Sequence, residues 1–151
     1  MTPIRAIAAA LPFLWLLGVG CDRLNAADII PCLEEAYGRD AVVRLDDRNA
    51  RVFLVWPAER NLDTTGVLAF VHDADTCFRP HPDWAETYSV SLFSARRFAG
   101  YKTEPDILPL VKDGTWIPAY LAEFDRGSRT LTFHPARGAR TVDVSRRLAD
   151  W

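Results

Sequence analysis

The chain has 151 residues, of which 49% are hydrophobic and 25% are charged, a balance typical of one folded domain and not of a disordered chain. A formal net charge of −2 excludes a generally basic nucleic-acid-binding protein. Three cysteines are too few for a small scaffold held together mainly by disulfides.

The N-terminal segment is predicted to be a secretory signal peptide. Arg5 precedes an apolar run over residues 6–20 that contains no charged or polar side chain. This run is shorter than the ~20 residues of a membrane-spanning helix, and the small residue Gly18 lies where a signal peptidase reads the chain. We therefore expect residues 1–20 to be a leader and residues 21–151 to form a single exported domain.

The end of the apolar run, residues 16–21 (LLGVGC), resembles a bacterial lipoprotein signal. The resemblance implies cleavage just before Cys21 and a lipid on its thiol, which would hold the domain at a membrane surface. A second candidate cleavage site lies near Ala26 and Ala27, before Asp28, and would release a free protein. The sequence leaves both routes open.

Both processing routes retain Cys32 and Cys77. Cysteines pair in the oxidising compartments that exported proteins reach, so we predict a disulfide between these two residues. Such a bridge would close a long loop and stabilise the fold by ~2–4 kcal/mol. The alternative is a pair of buried free thiols. A catalytic cysteine is not expected, because the chain has no C-x-x-C motif.

The mature chain is predicted to begin with a helix over residues 25–38. Apolar residues recur at helical spacing, Gly38 supplies a stop, and Pro31 places the start of the regular helix near Ile30. Cys32 then lies on this helix. Residues 41–46 and 51–56 change to a strand pattern around a polar turn, and together they predict a hairpin.

The middle of the chain is predicted to be strand and loop. The apolar run over residues 66–72 indicates a buried strand, and Cys77 follows it in a polar loop. Residues 87–94 alternate cleanly and predict a half-exposed strand, with Ser89 and Ser91 on the wet face.

The last third adds further strands. Residues 95–114 are predicted to be loop with one short helix. Residues 116–125 and 129–134 flank an Arg-Gly-Ser turn and predict a second hairpin, and residues 141–145 suggest a last strand.

These elements predict an α+β fold, with one N-terminal helix packed on an antiparallel sheet of five to seven short strands. The alternative is a small barrel or sandwich with the helix plugging one end.

One segment concentrates potential metal ligands. His72, Asp75 and His81 lie within ten positions, and imidazole and carboxylate are the usual ligands of zinc. These three residues would form a metal site if their loop folds back on itself. The alternative is an ordinary surface loop, because prolines and aspartates are common in any loop.

Basic and aromatic residues predict a binding surface near the C-terminus. Residues 125–151 hold six arginines against three aspartates, a net charge of +3, and guanidinium groups bind phosphate and carboxylate bidentately. Exposed tryptophan beside arginine is typical of interface hot spots. The candidate surface residues are Trp84, Arg137, Arg140, Arg146, Arg147 and Trp151. The alternative is a solvated charged face.

No motif of a nucleophilic or phosphate-binding enzyme occurs: the chain lacks G-x-S-x-G, the P-loop and G-x-G-x-x-G. We therefore expect a small exported, non-catalytic binding or accessory protein of the cell envelope, with an inhibitor, immunity or assembly role. Its partner would be a protein or an envelope polymer, and neither a cofactor nor nucleic acid is expected. The alternative is a small exported hydrolase that uses His72, Asp75 and His81.

Overall fold

The computed structural model describes residues 26–99, 110–112, 115–117, 119–134, 139–149 and 151. Its elements, in chain order, are α1 (Ala26–Tyr37), β1 (Val42–Asp46), β2 (Arg51–Val55), α2 (Thr64–Phe78), β3 (Ser89–Phe93), a 3₁₀ turn (Arg96–Phe98), β4 (Leu110–Lys112), β5 (Thr115–Ile117), β6 (Tyr120–Asp125), β7 (Thr130–Phe133) and β8 (Arg140–Asp143).

Six strands form one open sheet in the order β1-β2-β3-β6-β7-β8, and β4 and β5 form a separate pair. The two helices pack on one face of the six-stranded sheet, where most of the hydrophobic core lies. The predicted α+β fold is confirmed, and the alternative of a closed barrel is wrong because β1 and β8 lie at opposite edges.

Helix α1 confirms the predicted N-terminal helix. Its apolar stripe places Ile29 and Leu33 in the core with no exposed surface. Gly38 follows the helix with φ +84°, a left-handed conformation that glycine adopts without steric cost. The predicted start near Ile30 is wrong, because Pro31 lies inside the helix. Pro31 is the sixth helical residue, past the first turn, and its missing N–H removes one backbone hydrogen bond of the helix.

Helix α2 corrects the prediction of a buried strand over residues 66–72 followed by a loop. The Asp63 side chain caps its start by accepting a hydrogen bond of 2.7 Å from the backbone N–H of Gly66. The buried positions continue at helical spacing past the apolar run as far as Cys77 and Phe78. His72, Asp73 and Thr76 form the exposed side of the helix, whereas Asp75 is buried.

This second helix changes the sheet topology. Strands β2 and β3 run parallel, with α2 as the crossover between them, whereas the other pairs in the sheet are antiparallel. Strand β3 is therefore central, and all five of its residues are buried. The prediction that Ser89 and Ser91 form a wet face is wrong, since they are only 5% and 1% exposed.

The two predicted hairpins are confirmed. Strands β1 and β2 pair from Asp46 opposite Arg51, and β6 and β7 pair from Asp125 opposite Thr130. Strand β8 continues the sheet beside β7. These local pairings follow from short polar turns between apolar runs.

The predicted disulfide between Cys32 and Cys77 is present, with the two Cα atoms 5.7 Å apart. It joins α1 to α2 and not, as predicted, to a loop. The hydroxyl of Tyr37 adds a second link between the helices, because it donates to the carbonyl of Phe70 at 2.6 Å and accepts from the N–H of Ala74 at 2.8 Å.

Candidate functional site

The face of the sheet that points away from the helices carries most of the buried polar side chains of the central strands. Alternation along β2 and β3 sends Val52, Leu54, Val90 and Leu92 to the helix side. The intervening positions form the second face, which we call the polar face. Its central members are Arg51, Phe53, Ser89, Ser91, Phe93, Tyr120 and Glu123.

The polar face contains a cavity of about 250 Å³ between β1, β2, β3 and β6. Two phenylalanines form part of its wall. The polar lining residues are Arg44, Asp46, Asn49, Arg51, Ser91 and Tyr120.

A hydrogen-bonded network forms the base of this cavity. The guanidinium of Arg51 donates to Oγ of Ser89 at 3.1 Å and to Oε1 of Glu123 at 2.8 Å. The other carboxylate oxygen of Glu123 accepts from the hydroxyl of Tyr120. Oγ of Ser91 lies 3.3 Å from the same hydroxyl. Each group is therefore held by its neighbours, which fixes their positions before any ligand arrives.

The network holds Tyr120 in its protonated form. Burial raises the pKa of this phenol well above its usual range, and the hydrogen bond to Glu123 raises the pKa further. A phenol that donates to a carboxylate cannot accept a proton from Ser91 at neutral pH. Tyr120 is therefore not a general base for Ser91 at neutral pH.

Arg44 is held over the ring of Phe53, with its guanidinium carbon 4.3 Å from the ring centroid. Within the part of the chain that the structure describes, no carboxylate oxygen lies within salt-bridge distance of this guanidinium. Arg44 and Asp46 both line the cavity and lie two residues apart on β1.

The predicted metal ligands do not converge. His72 is exposed on α2, where its ring stacks on Trp151 at 5.0 Å. Asp75 is buried and accepts from the hydroxyl of Tyr88 at 3.0 Å. His81 is also buried, but it packs near Trp84.

Among the described residues, no group of three histidine, cysteine or acidic side chains is placed to hold a metal ion. Helix α2 and the turn after it separate the three predicted ligands by fixing each in different contacts. The geometry gives the hydrolase hypothesis no support.

The predicted surface residues are divided between several parts of the fold. Trp84 and Trp151 are half-buried against the core. The guanidinium of Arg140 lies over the ring of Phe133 at the β7–β8 edge, 4.9 Å from its centroid. Arg146 is exposed in the turn after β8. Arg137 and Cys21 lie outside the described residues.

One groove brings three of the singled-out residues together. His72, Arg147 and Trp151 line a shallow depression of about 240 Å³ beside α2. Arg147 donates to the hydroxyl of Thr65 at 3.0 Å, which holds the C-terminal turn against the helix. The stacked ring pair occupies the polar edge of this groove and anchors the C-terminal turn.

Sequence reasoning did not single out the residues of the polar-face cavity. Their signal was the alternation of polar residues along the strands, from Arg51 in β2 to Ser89 and Ser91 in β3 and Glu123 in β6. That signal became useful only when the neighbours of each strand were known, because the hydrogen-bonded network at the base of the cavity joins residues up to 72 positions apart.

Comparison with protein-family models, with curated proteins and with solved structures finds no match to this chain.

Proposed function

We propose that this protein is a small exported, non-catalytic binding or accessory protein of the cell envelope, and that it engages its partner through the cavity on the polar face. The partner class is a protein or an envelope polymer, and the role is of an inhibitor, immunity or assembly type.

The cavity is the observation that carries this proposal. It combines a fixed polar base with guanidinium groups, and the Tyr120 phenol at that base is held protonated. Small-molecule sites are concave regions with a few fixed polar groups. These fixed donors and acceptors suit the recognition of a ligand.

Export is supported by two independent features. The leader over residues 1–20 has the charge and apolar pattern of a signal peptide. The disulfide between Cys32 and Cys77 fits an oxidising compartment. No helix in the described ranges is long and apolar enough to cross a membrane. The proposal includes a lipid on Cys21 as a membrane tether.

Intact mass tests the processing step. The full chain is produced in a bacterium and the mature protein is weighed after fractionation. A mass that starts at Cys21 with added lipid establishes the tether, and one that starts near Ala27 establishes a free exported protein. Retention of the uncut chain in the cytoplasm contradicts export.

Sedimentation with insoluble bacterial envelope polymer tests binding. We expect the purified protein to sediment with the polymer and the Arg44→Gln variant to stay in the supernatant. Arg48→Gln is the matched control, because Arg48 is an exposed arginine on the same hairpin and is not among the cavity residues. No sedimentation of the wild-type protein, or equal loss in both variants, contradicts the proposal.

A further inference from the structure

The cavity on the polar face is lined by two chemically different sets of side chains. Arg44 and Arg51 bring guanidinium donors, which we call the cationic side, and Asp46 and Asn49 bring oxygen acceptors, which we call the acceptor side. The two sets are adjacent, because Asp46 stands opposite Arg51 in the β1–β2 ladder. Ser91, which is 1% exposed, lies at the base between them.

The cationic side is fixed before a ligand binds. Arg44 stands opposite Phe53 in the β1–β2 ladder and lies over that ring. Arg51 is two residues before Phe53, so the two arginines are diagonal neighbours on one face of the hairpin. Glu123 and Ser89 use two of the five N–H donors of Arg51, which leaves others to bind an anion.

The acceptor side is fixed by the hairpin turn. Asp46 accepts from the backbone N–H of Arg48 at 3.2 Å and from the side-chain amide of Asn49 at 3.0 Å. These bonds orient the carboxylate, which retains lone pairs for a further donor. Its negative charge attracts the hydroxyl groups of a ligand, and the guanidinium groups beside it attract a carboxylate of the same ligand.

We infer that this cavity binds an acidic sugar residue of an envelope polymer. The sugar carboxylate pairs with Arg44 and Arg51, and the ring hydroxyls donate to Asp46 and Asn49. The volume of about 250 Å³ lies just below the ~300 Å³ at which drug-sized pockets begin, so it suits one sugar ring. This inference rests on the proposed binding function and names its ligand class.

Two simpler ligands satisfy only part of this lining. Inorganic phosphate uses the arginines, but it has no ring of neutral hydroxyl groups that could donate to Asp46 and Asn49. A neutral sugar uses the acceptors but leaves the guanidinium of Arg44 without a counter-charge. A hydroxylated carboxylate satisfies both sides at once, and each unsatisfied side lowers affinity.

Calorimetric titration of the purified protein with galacturonate, galactose and inorganic phosphate tests the inference. We expect galacturonate to bind at least about tenfold more tightly than galactose, because one charge-assisted pair is worth roughly that factor. We also expect it to bind more tightly than phosphate. Equal affinity for galactose, or tighter binding of phosphate, overturns the inference.

Two arginine variants distinguish ligand binding in the cavity from general electrostatic attraction to the protein surface. Arg44→Gln removes a cavity charge, and Arg48→Gln removes the same charge from the neighbouring turn. We expect Arg44→Gln to weaken galacturonate binding about tenfold or more and Arg48→Gln to change it less than about twofold. Equal weakening in both variants overturns the inference.

The sedimentation and titration experiments together separate a failure of the ligand class from a failure of the proposed function. If the wild-type protein sediments with envelope polymer but does not bind galacturonate, the ligand class is wrong and the binding function stands. If neither binding is seen, both are wrong.

Discussion

At the residue scale, Asp75 shows how a side chain that suggests metal chemistry can serve the fold. Its carboxylate is 3% exposed near the end of α2. It accepts from Tyr88 at 3.0 Å and from Arg79 at 2.6 Å, and the guanidinium of Arg126 lies 3.8 Å away. The residue therefore connects α2 to the chain around β3 and β6.

We predict that Asp75→Ala lowers the free energy of unfolding by ~3 kcal/mol. The change leaves the Tyr88 hydroxyl and the mostly buried Arg126 without their carboxylate partner, and breaking a buried pair costs roughly that much. Urea denaturation followed by circular dichroism measures the loss. Asp73→Ala, an exposed neighbour on α2, should change stability by less than about 0.5 kcal/mol. Equal effects would contradict a structural role for Asp75.

Gly66 is a second residue whose role depends on its surroundings. A Cβ atom at this position would lie 2.5 Å from the backbone carbonyl oxygen of Asn61 and 3.4 Å from the capping oxygen of Asp63. A backbone oxygen cannot move aside as a flexible side chain can. The close approach of the preceding loop therefore requires glycine at the start of α2.

We predict that Gly66→Ala destabilises the protein by ~1–2 kcal/mol, because steric crowding outweighs the ~1 kcal/mol by which alanine favours a helix. Thermal unfolding of the variant checks this. Ala69→Gly, at an exposed position of the same helix, gives the ordinary glycine penalty for comparison. A higher melting temperature for Gly66→Ala would show that the loop relaxes freely.

At the element scale, the two helices form a unit tied at two points. The disulfide joins Cys32 to Cys77, and the Tyr37 hydroxyl binds the backbone of α2 one turn of α1 further on. Helix α2 is also the crossover of the β2–β3 parallel pair. The pairing of the helices therefore fixes how the N-terminal hairpin joins the rest of the sheet.

We predict that Cys32→Ala with Cys77→Ala lowers the free energy of unfolding by ~2–4 kcal/mol, since a bridge that spans 45 residues restricts the unfolded chain. Urea denaturation of the double variant is compared with that of the oxidised protein. Reduction of the unaltered protein should produce a similar loss. An unchanged midpoint in both cases would show that the bridge does not constrain the unfolded state.

At the scale of the whole molecule, the sheet separates two environments. The helix side holds the main apolar core, which includes the fully buried Tyr88. The polar face holds the hydrogen-bonded network around Tyr120. Burial raises the pKa of Tyr37, Tyr88 and Tyr120 above the usual range, so all three phenols are protonated in the folded protein.

We predict alkaline unfolding. An unfolded tyrosine titrates near pH 10, whereas these three retain their protons in the fold, so stability is unchanged below about pH 10 and falls as the pH rises above it. Tyrosinate absorbance and circular dichroism should change together in one titration. Tyr101→Phe removes the signal of the tyrosine outside the described residues. Ionisation of three tyrosines with an intact fold would contradict their burial.

Local patterns along the chain are sufficient to predict the first helix, both hairpins, the α+β class and the disulfide pairing. These depend on short-range patterns, such as the stop at Gly38, or on a simple count of cysteines. The leader and its processing stay sequence predictions.

Long-range packing sets the identity of α2, the parallel pairing of β2 with β3, and the polar-face cavity. The apolar run over residues 66–72 fits either a buried strand or a buried helix, and packing on the sheet selects the helix. Once α2 crosses over, β3 becomes a central strand, which brings Ser91 beside Tyr120 and Arg51 beside Glu123. Such a site depends on which strands are neighbours, and the periodicity within one strand does not identify the strand with which it pairs.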